Sequence, residues 1–246
     1  MKNRKIGYTY SSVSGHFAFR NKKSISFEST LERDLLTVLE FNSSVFDVTE
    51  QPLTIEYTNK NGRAVTYTPD FLVQFEEPNE MVCINKISRK PWLIEVKPRE
   101  ILKKEWDKLK PKFKIAIKYA RENDLIFKVF DETRIRTSYL ERIKFLNRYK
   151  RMEVDSLWKE WVFQGLEALG GHSTIDELIV FKFRGGKVDE KLALGVIYHL
   201  ISHKIIKADI TENLNMQTEI WLNTEHPNYF NFRHGEIGRA SCRERV

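Results

Sequence analysis

The chain has 246 residues, 41% of them hydrophobic, which is enough for one large domain or two modest ones. Its formal net charge is +7 and its pI is near 9.2. This balance favours a polyanionic partner such as nucleic acid. No apolar run approaches the length of a membrane span, and the basic N-terminus lacks the apolar stretch of a secretory signal, so we expect no membrane association.

Basic and aromatic side chains are interleaved in the first 25 residues. This segment is either an arm that contacts DNA or a basic strand that leads into the fold. The next stretch, 26–41, predicts an amphipathic helix with its leucines facing inward. Those leucines are Leu31, Leu35, Leu36 and Leu39.

Glu28 and Glu32 lie four residues apart, which would place both carboxylates on one side of that helix. One interpretation makes them solvated helix residues paired with nearby cations. The other makes one of them a metal ligand or a base that orients water, leaning over the sheet.

Two short motifs follow, YTPDFLV ending at Val73 and LIEVK from Leu93 to Lys97. Together they match the PD…ExK pattern of metal-dependent nucleases, with Asp70, Glu95 and Lys97 as the chemical residues. Strand alternation turns Glu95 and Lys97 to one face, while Ile94 and Val96 turn to the other. Two carboxylates at adjacent strand ends can hold a hard divalent cation, and the lysine can hold or activate a water.

The apolar context of both acids strengthens this interpretation. Asp70 is followed by Phe-Leu-Val and Glu95 lies between apolar residues, so both belong to predicted buried strands. A carboxylate there is costly unless a cation lies close to it.

A predicted helix over 101–121 and a strand over 125–130 then complete a parallel crossover of an α/β sheet. Its inward residues would be Trp106, Leu109, Phe113, Ile117 and Ala120, and Pro111 predicts a kink or break near Lys110.

After a charge-dense helical linker over 132–155, the pattern predicts a second unit. Helices over 156–169, 174–181 (capped by Ser173) and 188–203 precede strands over 205–210 and 218–222. Three helices and a hairpin are typical of a winged helix.

A winged helix suggests DNA contacts on or after its third helix, from Lys191, His199, His203, Lys204 and Lys207. It docks proteins about as readily. The third helix also has more apolar residues than one buried face requires, which favours a protein contact. The His199-x-x-x-His203 pair lacks the adjacent glutamate and third ligand of a zinc site, so we do not expect zinc there.

The last residues, 236–246, differ in composition from the rest and resemble a translated sequencing-library adapter, so we exclude them from fold reasoning. Without Cys242 the chain keeps one thiol, Cys83, which indicates a reducing compartment, the cytoplasm.

The segment from Gly15 to Arg99 resembles TnsA, the endonuclease subunit of heteromeric cut-and-paste transposases of the Tn7 type. It has a helix with an acid, a Glu-Gln-Pro segment containing Gln51, a T-x-DFLV strand and a VKP strand. The resemblance implies a restriction-endonuclease-like fold over 1–150. The winged-helix docking domain would then cover 151–235.

The resemblance also implies the site residues. The catalytic residues would be Glu32, Asp70, Glu95 and Lys97, and the ligands of one or two Mg²⁺ ions would be Glu32, Asp70, Glu95 and Val96. Mn²⁺ should substitute. Some TnsA proteins carry an amide where this chain has Glu95, and the carboxylate strengthens the metal interpretation. Gln51 would either lie where the chain enters the sheet or support the site residues.

The implied activity is a Mg²⁺-dependent cut at the 5′ ends of a transposon in double-stranded DNA. The implied partners are a DDE-type transposase that cuts the 3′ ends and an AAA+ ATPase regulator that binds the C-terminal domain. Two alternatives stay open: a freestanding restriction or repair nuclease, and a non-catalytic adaptor that binds DNA or the ATPase. Retention of the full acid and lysine set favours an active nuclease.

Overall fold

The computed structural model describes residues 13–59, 62–76, 90–183 and 189–226. They form a mixed α/β protein that divides into two compact units, residues 1–140 and 141–246. Within the described residues, no helix combines the length and apolarity needed to cross a bilayer. The start of the basic N-terminal segment, residues 1–12, and the adapter-like tail lie outside the described part of the chain.

The first unit contains eight strands in its described residues. They are β1 (Gly15–Phe19), β2 (Lys23–Phe27), β3 (Val45–Glu50), β4 (Ile55–Thr58), β5 (Ala64–Tyr67), β6 (Phe71–Phe75), β7 (Trp92–Val96) and β8 (Ile126–Phe130). The segment that was interpreted as an arm or a lead-in strand thus becomes, from residue 15, the antiparallel hairpin β1–β2.

The central sheet has the order β3-β6-β7-β8. Strand β6 runs antiparallel to both β3 and β7, whereas β7 and β8 are parallel. The predicted parallel crossover is therefore confirmed. Hairpin β4–β5 forms a separate two-stranded sheet. Because β6 and β7 are antiparallel, the start of β6 and the end of β7 meet at one edge of the sheet, where the predicted acids lie.

The helices that begin in this unit are α1 (Thr30–Phe41), α2 (Arg99–Lys104), α3 (Trp106–Glu122), α4 (Glu132–Ile135) and α5 (Ser138–Tyr149). Helix α1 starts later than predicted, because Ser26 and Phe27 belong to β2 and Ser29 caps the helix. Its four inward leucines are buried, as predicted. Glu28 therefore precedes the helix and does not share a helical face with Glu32.

The helix predicted over 101–121 is two helices, and the interruption is at Glu105, not near Lys110. The Glu105 N–H donates to Ile101 O and closes α2, while Glu105 O accepts the N–H groups of Lys108 and Leu109 and opens α3. Pro111 lies inside α3. The predicted inward residues Trp106 and Ile117 are 47% and 39% exposed, so the buried face of α3 is narrower than expected.

The core of the first unit lies between α1 and the central sheet. Ile25, Leu36, Val48, Val73 and Ile94 are each fully buried there. A smaller cluster packs the hairpin β4–β5 against α3 through Ile55, Tyr67 and Ala116.

The second unit contains most of α5 and then α6 (Ser156–Ala168), β9 (His172–Thr174), α7 (Ile175–Lys182), α8 (Glu190–Ser202), β10 (Ile206–Ala208) and β11 (Glu219–Leu222). The three strands form an antiparallel sheet of order β10-β11-β9. Strand β9 was not predicted, because three residues are too few to show alternation.

Several details of this unit differ from the sequence interpretation. The segment 132–155 is helical over α4 and α5, as predicted, but it is more than a linker, because Ile143 and Leu146 on α5 are fully buried. Helix α7 is capped by Thr174, not Ser173, and Glu177 completes a capping box.

The apolar surplus of α8 is also explained within the unit. Val196, Ile197, Leu200 and Ile201 are all buried. Helix α8 packs against α6, α7 and β10, and Tyr198 also contacts α5, so residues on several sides of the helix are covered. Most of the surplus is therefore covered within the unit, whereas Leu192 is 37% exposed.

Candidate active site

Two hydrogen bonds fix Asp70 against strand β7, one donated by its main chain and one accepted by its side chain. It directly precedes β6, and its N–H donates to Ile94 O over 3.0 Å. In return the Val96 N–H donates to Asp70 Oδ2 over 2.7 Å. The side chain therefore lies at the carboxyl end of β7, at the sheet edge that the antiparallel pairing creates.

Glu95 lies at the same edge, one residue before the end of β7, and is only 3% exposed. Lys97 Nζ is 3.1 Å from Glu95 Oε1, which agrees with the predicted common face of these two residues. The Tyr67 hydroxyl donates to Glu95 Oε2 over 2.8 Å. Each oxygen of this buried carboxylate thus has a donor.

The sequence interpretation did not identify Tyr67 as a site residue. Tyr67 ends β5, is 6% exposed and precedes Asp70 by three residues. Its presence in the YTPD motif was the only available signal, and its contact with Glu95 joins residues 28 positions apart. Burial raises the pKa of Tyr67, and the Glu95 carboxylate raises it further, so its hydroxyl remains a donor across the physiological range.

Glu32 caps the start of α1. Its Oε1 accepts the Ser29 hydroxyl over 2.8 Å, its Oε2 accepts the Glu28 N–H over 2.8 Å, and its own N–H donates to Ser29 Oγ. This is close to a capping box, although the glutamate bonds the N–H before the cap residue. Both carboxylate oxygens therefore satisfy donors at the helix start.

Gln51 connects Asp70 with Glu28, the acid that precedes α1. Its main-chain N–H donates to Asp70 O over 2.8 Å, and its side-chain amide donates to Glu28 Oε1 over 3.4 Å. Gln51 has a φ of 42°, a left-handed conformation that is costly for a residue with a Cβ. These contacts agree with the site-supporting role suggested for Gln51.

The surroundings of Asp70 disfavour the ionised form of its carboxyl group. Burial raises the pKa of Asp70 well above its ordinary value, and Glu95 raises it further, while Lys97 and the Val96 N–H lower it only in part. Burial also raises the pKa of Glu32, against opposing hydrogen bonds from Glu28 and Ser29.

For Lys97, burial lowers the pKa, but Asp70 and Glu95 together raise it above its ordinary value. Lys97 is therefore a cation at neutral pH. Asp70, Glu95, Lys97 and Glu32 influence one another's charge, so they occupy one electrostatic neighbourhood.

The donor chemistry of this neighbourhood fits a hard divalent cation. Carboxylate oxygens are the ligands that Mg²⁺ prefers, and the repulsion that raises the pKa of Asp70 is what a bound cation would offset. Val96 has an apolar side chain and could contribute only its main-chain carbonyl. Within the described residues, no three His, Cys, Asp or Glu side chains form a ready-made metal cluster. The convergence of Glu32 with Asp70 and Glu95 on a metal stays a prediction.

In the second unit, the two histidines proposed as DNA contacts are bonded internally. His199 is 5% exposed and its Nδ1 lies 3.0 Å from Tyr149 O. His203 Nε2 lies 3.0 Å from Lys150 O. Burial lowers the pKa of His199, so its ring is neutral at physiological pH. His199 does not face outward, because α5 covers it.

Comparison with known proteins agrees with the nuclease interpretation. Residues 42–132 match the family model described as TnsA-like endonuclease N terminal, which implies a nuclease and hence a hydrolase. These residues are therefore similar to a TnsA-like endonuclease domain, and the resemblance to TnsA is confirmed over them. Such a domain suggests a part in Tn7-type transposition on DNA, together with a transposase. The matched segment includes Tyr67, Asp70, Glu95 and Lys97. No curated protein matches the chain.

Proposed function

We propose that this chain is a Mg²⁺-dependent DNA endonuclease that cuts the 5′ ends of a transposon as one subunit of a heteromeric transposase. The observation that supports this most is the meeting of Asp70 and Glu95, with Lys97 3.1 Å from Glu95, at one buried sheet edge. Two buried like charges are unfavourable in a protein that has no cationic ligand to bind. The match to TnsA-like endonucleases supports the same class of reaction.

In this proposal Asp70, Glu95 and the main-chain carbonyl of Val96 hold Mg²⁺, for which Mn²⁺ can substitute. Glu32 provides a further ligand or orients water. When bound, the ion would stabilise charge on the phosphoryl oxygens and make a water more acidic. Lys97, held as a cation by its carboxylate neighbours, would stabilise the developing negative charge and hold the water in place.

Tyr67 and Gln51 would orient this set without touching the substrate. Tyr67 fixes one oxygen of Glu95, and Gln51 bonds both the Asp70 main chain and Glu28. Catalytic groups must be held to within a fraction of an ångström of their working geometry, so such contacts have a direct effect on rate.

We also propose that the first unit has a restriction-endonuclease-like fold and that the second is a winged helix. The order α6-β9-α7-α8-β10-β11 with an antiparallel three-stranded sheet supports the second assignment. Docking of the AAA+ ATPase to the second unit rests on the resemblance to TnsA alone, because most of the apolar residues of α8 are buried.

The test is Asp70→Asn, which keeps the volume and the hydrogen bond from Val96 but removes the charge. With Mg²⁺, transposon-end DNA and the transposase of the same element, we expect cleavage at the 5′ ends to fall by about a thousandfold. Asp107→Asn, a change of an exposed acid on α3, is the matched control and should cut normally. Nicking by Asp70→Asn at the wild-type rate would refute the assignment.

The same assay separates the alternatives. Site-specific cutting by the wild-type chain without any transposase would identify a freestanding nuclease. Binding to DNA and partners with no metal-dependent cutting under any condition would identify an adaptor. We expect weak cutting alone and accurate cutting with the transposase.

A further inference from the structure

Much of the positive charge of the chain is concentrated on α2 and α3. Between residues 99 and 122 there are nine lysines and arginines and four acids, a net charge of +5 in a chain whose total is +7. Helix α2 begins at Arg99, two residues after Lys97, so this charge follows the candidate active site directly in the chain.

Four of these cations form one exposed face of α3, hereafter the α3 basic face: Lys110, Lys114, Lys118 and Arg121. Their spacing of four, four and three residues places them on one side of a helix. Leu109, Phe113, Ala116 and Ala120 form the buried side. Lys114, Lys118 and Arg121 line one open groove, together with Ile117 and Glu122.

Few of these cations have a partner for their charge. Of the four, only Lys118 forms an ion pair with another described residue, with Glu122 at 3.8 Å. Two cations elsewhere in the unit are paired more closely: Lys23 with Asp47 at 2.9 Å, and Arg136 with the buried Asp34 at 2.8 Å. The α3 basic face therefore presents uncompensated charge to solvent.

We propose that the α3 basic face binds the phosphate backbone of the DNA duplex that the proposed nuclease cuts. This inference rests on the proposed function for its ligand. From Lys110 to Arg121 the helix rises about 16 Å, which matches the axial length of about five nucleotides of one strand. Lysines and arginines supply most contacts to phosphate, whereas lysine is depleted at protein–protein interfaces, so the composition favours DNA over an acidic protein.

The experiment measures binding to a 30-bp duplex by fluorescence anisotropy in EDTA, so that cleavage plays no part. The full chain carries Lys114→Gln with Arg121→Gln, changes that keep helix propensity. We expect the dissociation constant to rise about ten- to fiftyfold near 100 mM salt. The slope of log K against log salt should fall by about two, because two phosphate contacts are lost.

The matched control is Lys108→Gln with Lys112→Gln, which removes the same charge from other sides of the same helix. It should bind within about threefold of wild type with an unchanged slope. The charge-keeping variant Lys114→Arg with Arg121→Lys should also bind like wild type, which shows that the site tolerates substitution.

Equal weakening by the control and the test variant would overturn the proposal in favour of net charge alone. Unchanged DNA binding by the test variant, or its loss of transposase binding in place of DNA binding, would also overturn it. This experiment measures DNA binding and not cleavage. Its outcome is therefore independent of the cleavage assay, in which an active Asp70→Asn enzyme would refute the catalytic assignment.

Discussion

The Tyr67 hydroxyl and Glu95 form a buried side-chain hydrogen bond in the candidate active site. We predict that Tyr67→Phe slows cleavage by about tenfold, because a buried carboxylate oxygen loses its donor at a cost of about 1–3 kcal/mol. The Mg²⁺ concentration for half-maximal cleavage should rise, whereas a merely structural role for Tyr67 would leave it unchanged.

The control for this prediction is Tyr57→Phe on the facing strand of the same hairpin, which should leave both quantities unchanged. A Tyr67→Phe enzyme with the wild-type rate and the wild-type Mg²⁺ requirement would show that Glu95 needs no positioning by this residue.

Asp70 makes the stability of the protein depend on pH and metal. Burial raises the pKa of Asp70 above its unfolded value, so folding favours its neutral form. Its contribution to stability is therefore full below the unfolded pKa of about 3.9 and is lost as pH rises through the folded pKa. At pH 8 without metal, Asp70 therefore destabilises the fold, because its ionisation is less favourable in the folded than in the unfolded chain.

We therefore predict that Asp70→Asn raises the melting temperature in EDTA at pH 8, by about 2–4 °C for each kcal/mol gained. The gain should shrink towards pH 4. Mg²⁺ should raise the melting temperature of the wild type but not of the variant, because binding to the folded state stabilises it. A variant that melts below the wild type in EDTA at pH 8 contradicts this account, and Asp107→Asn should change the melting temperature little.

At the scale of elements, the start of α1 combines a stabilising cap with a candidate catalytic acid. Ser29 Oγ accepts the Glu32 N–H, and the Ser29 hydroxyl donates to the Glu32 carboxylate. The helix start thereby determines where Glu32 points. Any rotation of Glu32 towards a metal would release donors that it now satisfies.

We predict that Ser29→Ala lowers the free energy of unfolding by about 0.5–2 kcal/mol, the usual cost of a lost N-cap. Cleavage should also change, because Glu32 loses the hydroxyl that holds Oε1. Thr37→Ala, within the same helix, is the control and should be near neutral. Chemical denaturation measures both variants, and equal stability of Ser29→Ala and wild type would show that the cap is dispensable.

At the scale of the whole molecule, α5 determines where the second unit can be separated. Phe145 and Tyr149 pack their rings against Tyr198, at 5.2 and 5.1 Å between centroids. Tyr149 O also lies within hydrogen-bond distance of the buried His199 ring. Arg142 donates hydrogen bonds to the main-chain oxygens of Ile210 and Thr211 over 2.7 and 2.6 Å. These contacts all lie within residues 141–246, whereas the sequence placed the boundary at 150.

We predict that a fragment of residues 138–235 is more stable than one of residues 151–235, by several kcal/mol. The shorter fragment exposes the apolar side of α8 that α5 covers and leaves His199 without its main-chain partner. Thermal unfolding by circular dichroism measures the difference. In the longer fragment, Phe145→Ala should fall between the two, and equal melting temperatures for both fragments would show that α5 adds nothing.

Elements with a local sequence pattern could be predicted before the fold was known. Alternation in β7 predicted that Glu95 and Lys97 share a face, and the periodicity of α1 predicted its buried leucines, because side-chain direction follows from the backbone repeat. The apolar strands around Asp70 and Glu95, the parallel crossover and the order of the later helices were predictable for the same reason.

Features that depend on distant partners could be recognised only in the folded protein. The Tyr67 contact with Glu95 and the cover that α5 gives to α8 join residues that no local pattern specifies. The apolar pattern of α8 in the sequence would be the same whether the helix packed against this chain or against another protein. Burial and hydrogen bonding are properties of the folded neighbourhood, so no local pattern predicted that Tyr67 holds the carboxylate of Glu95.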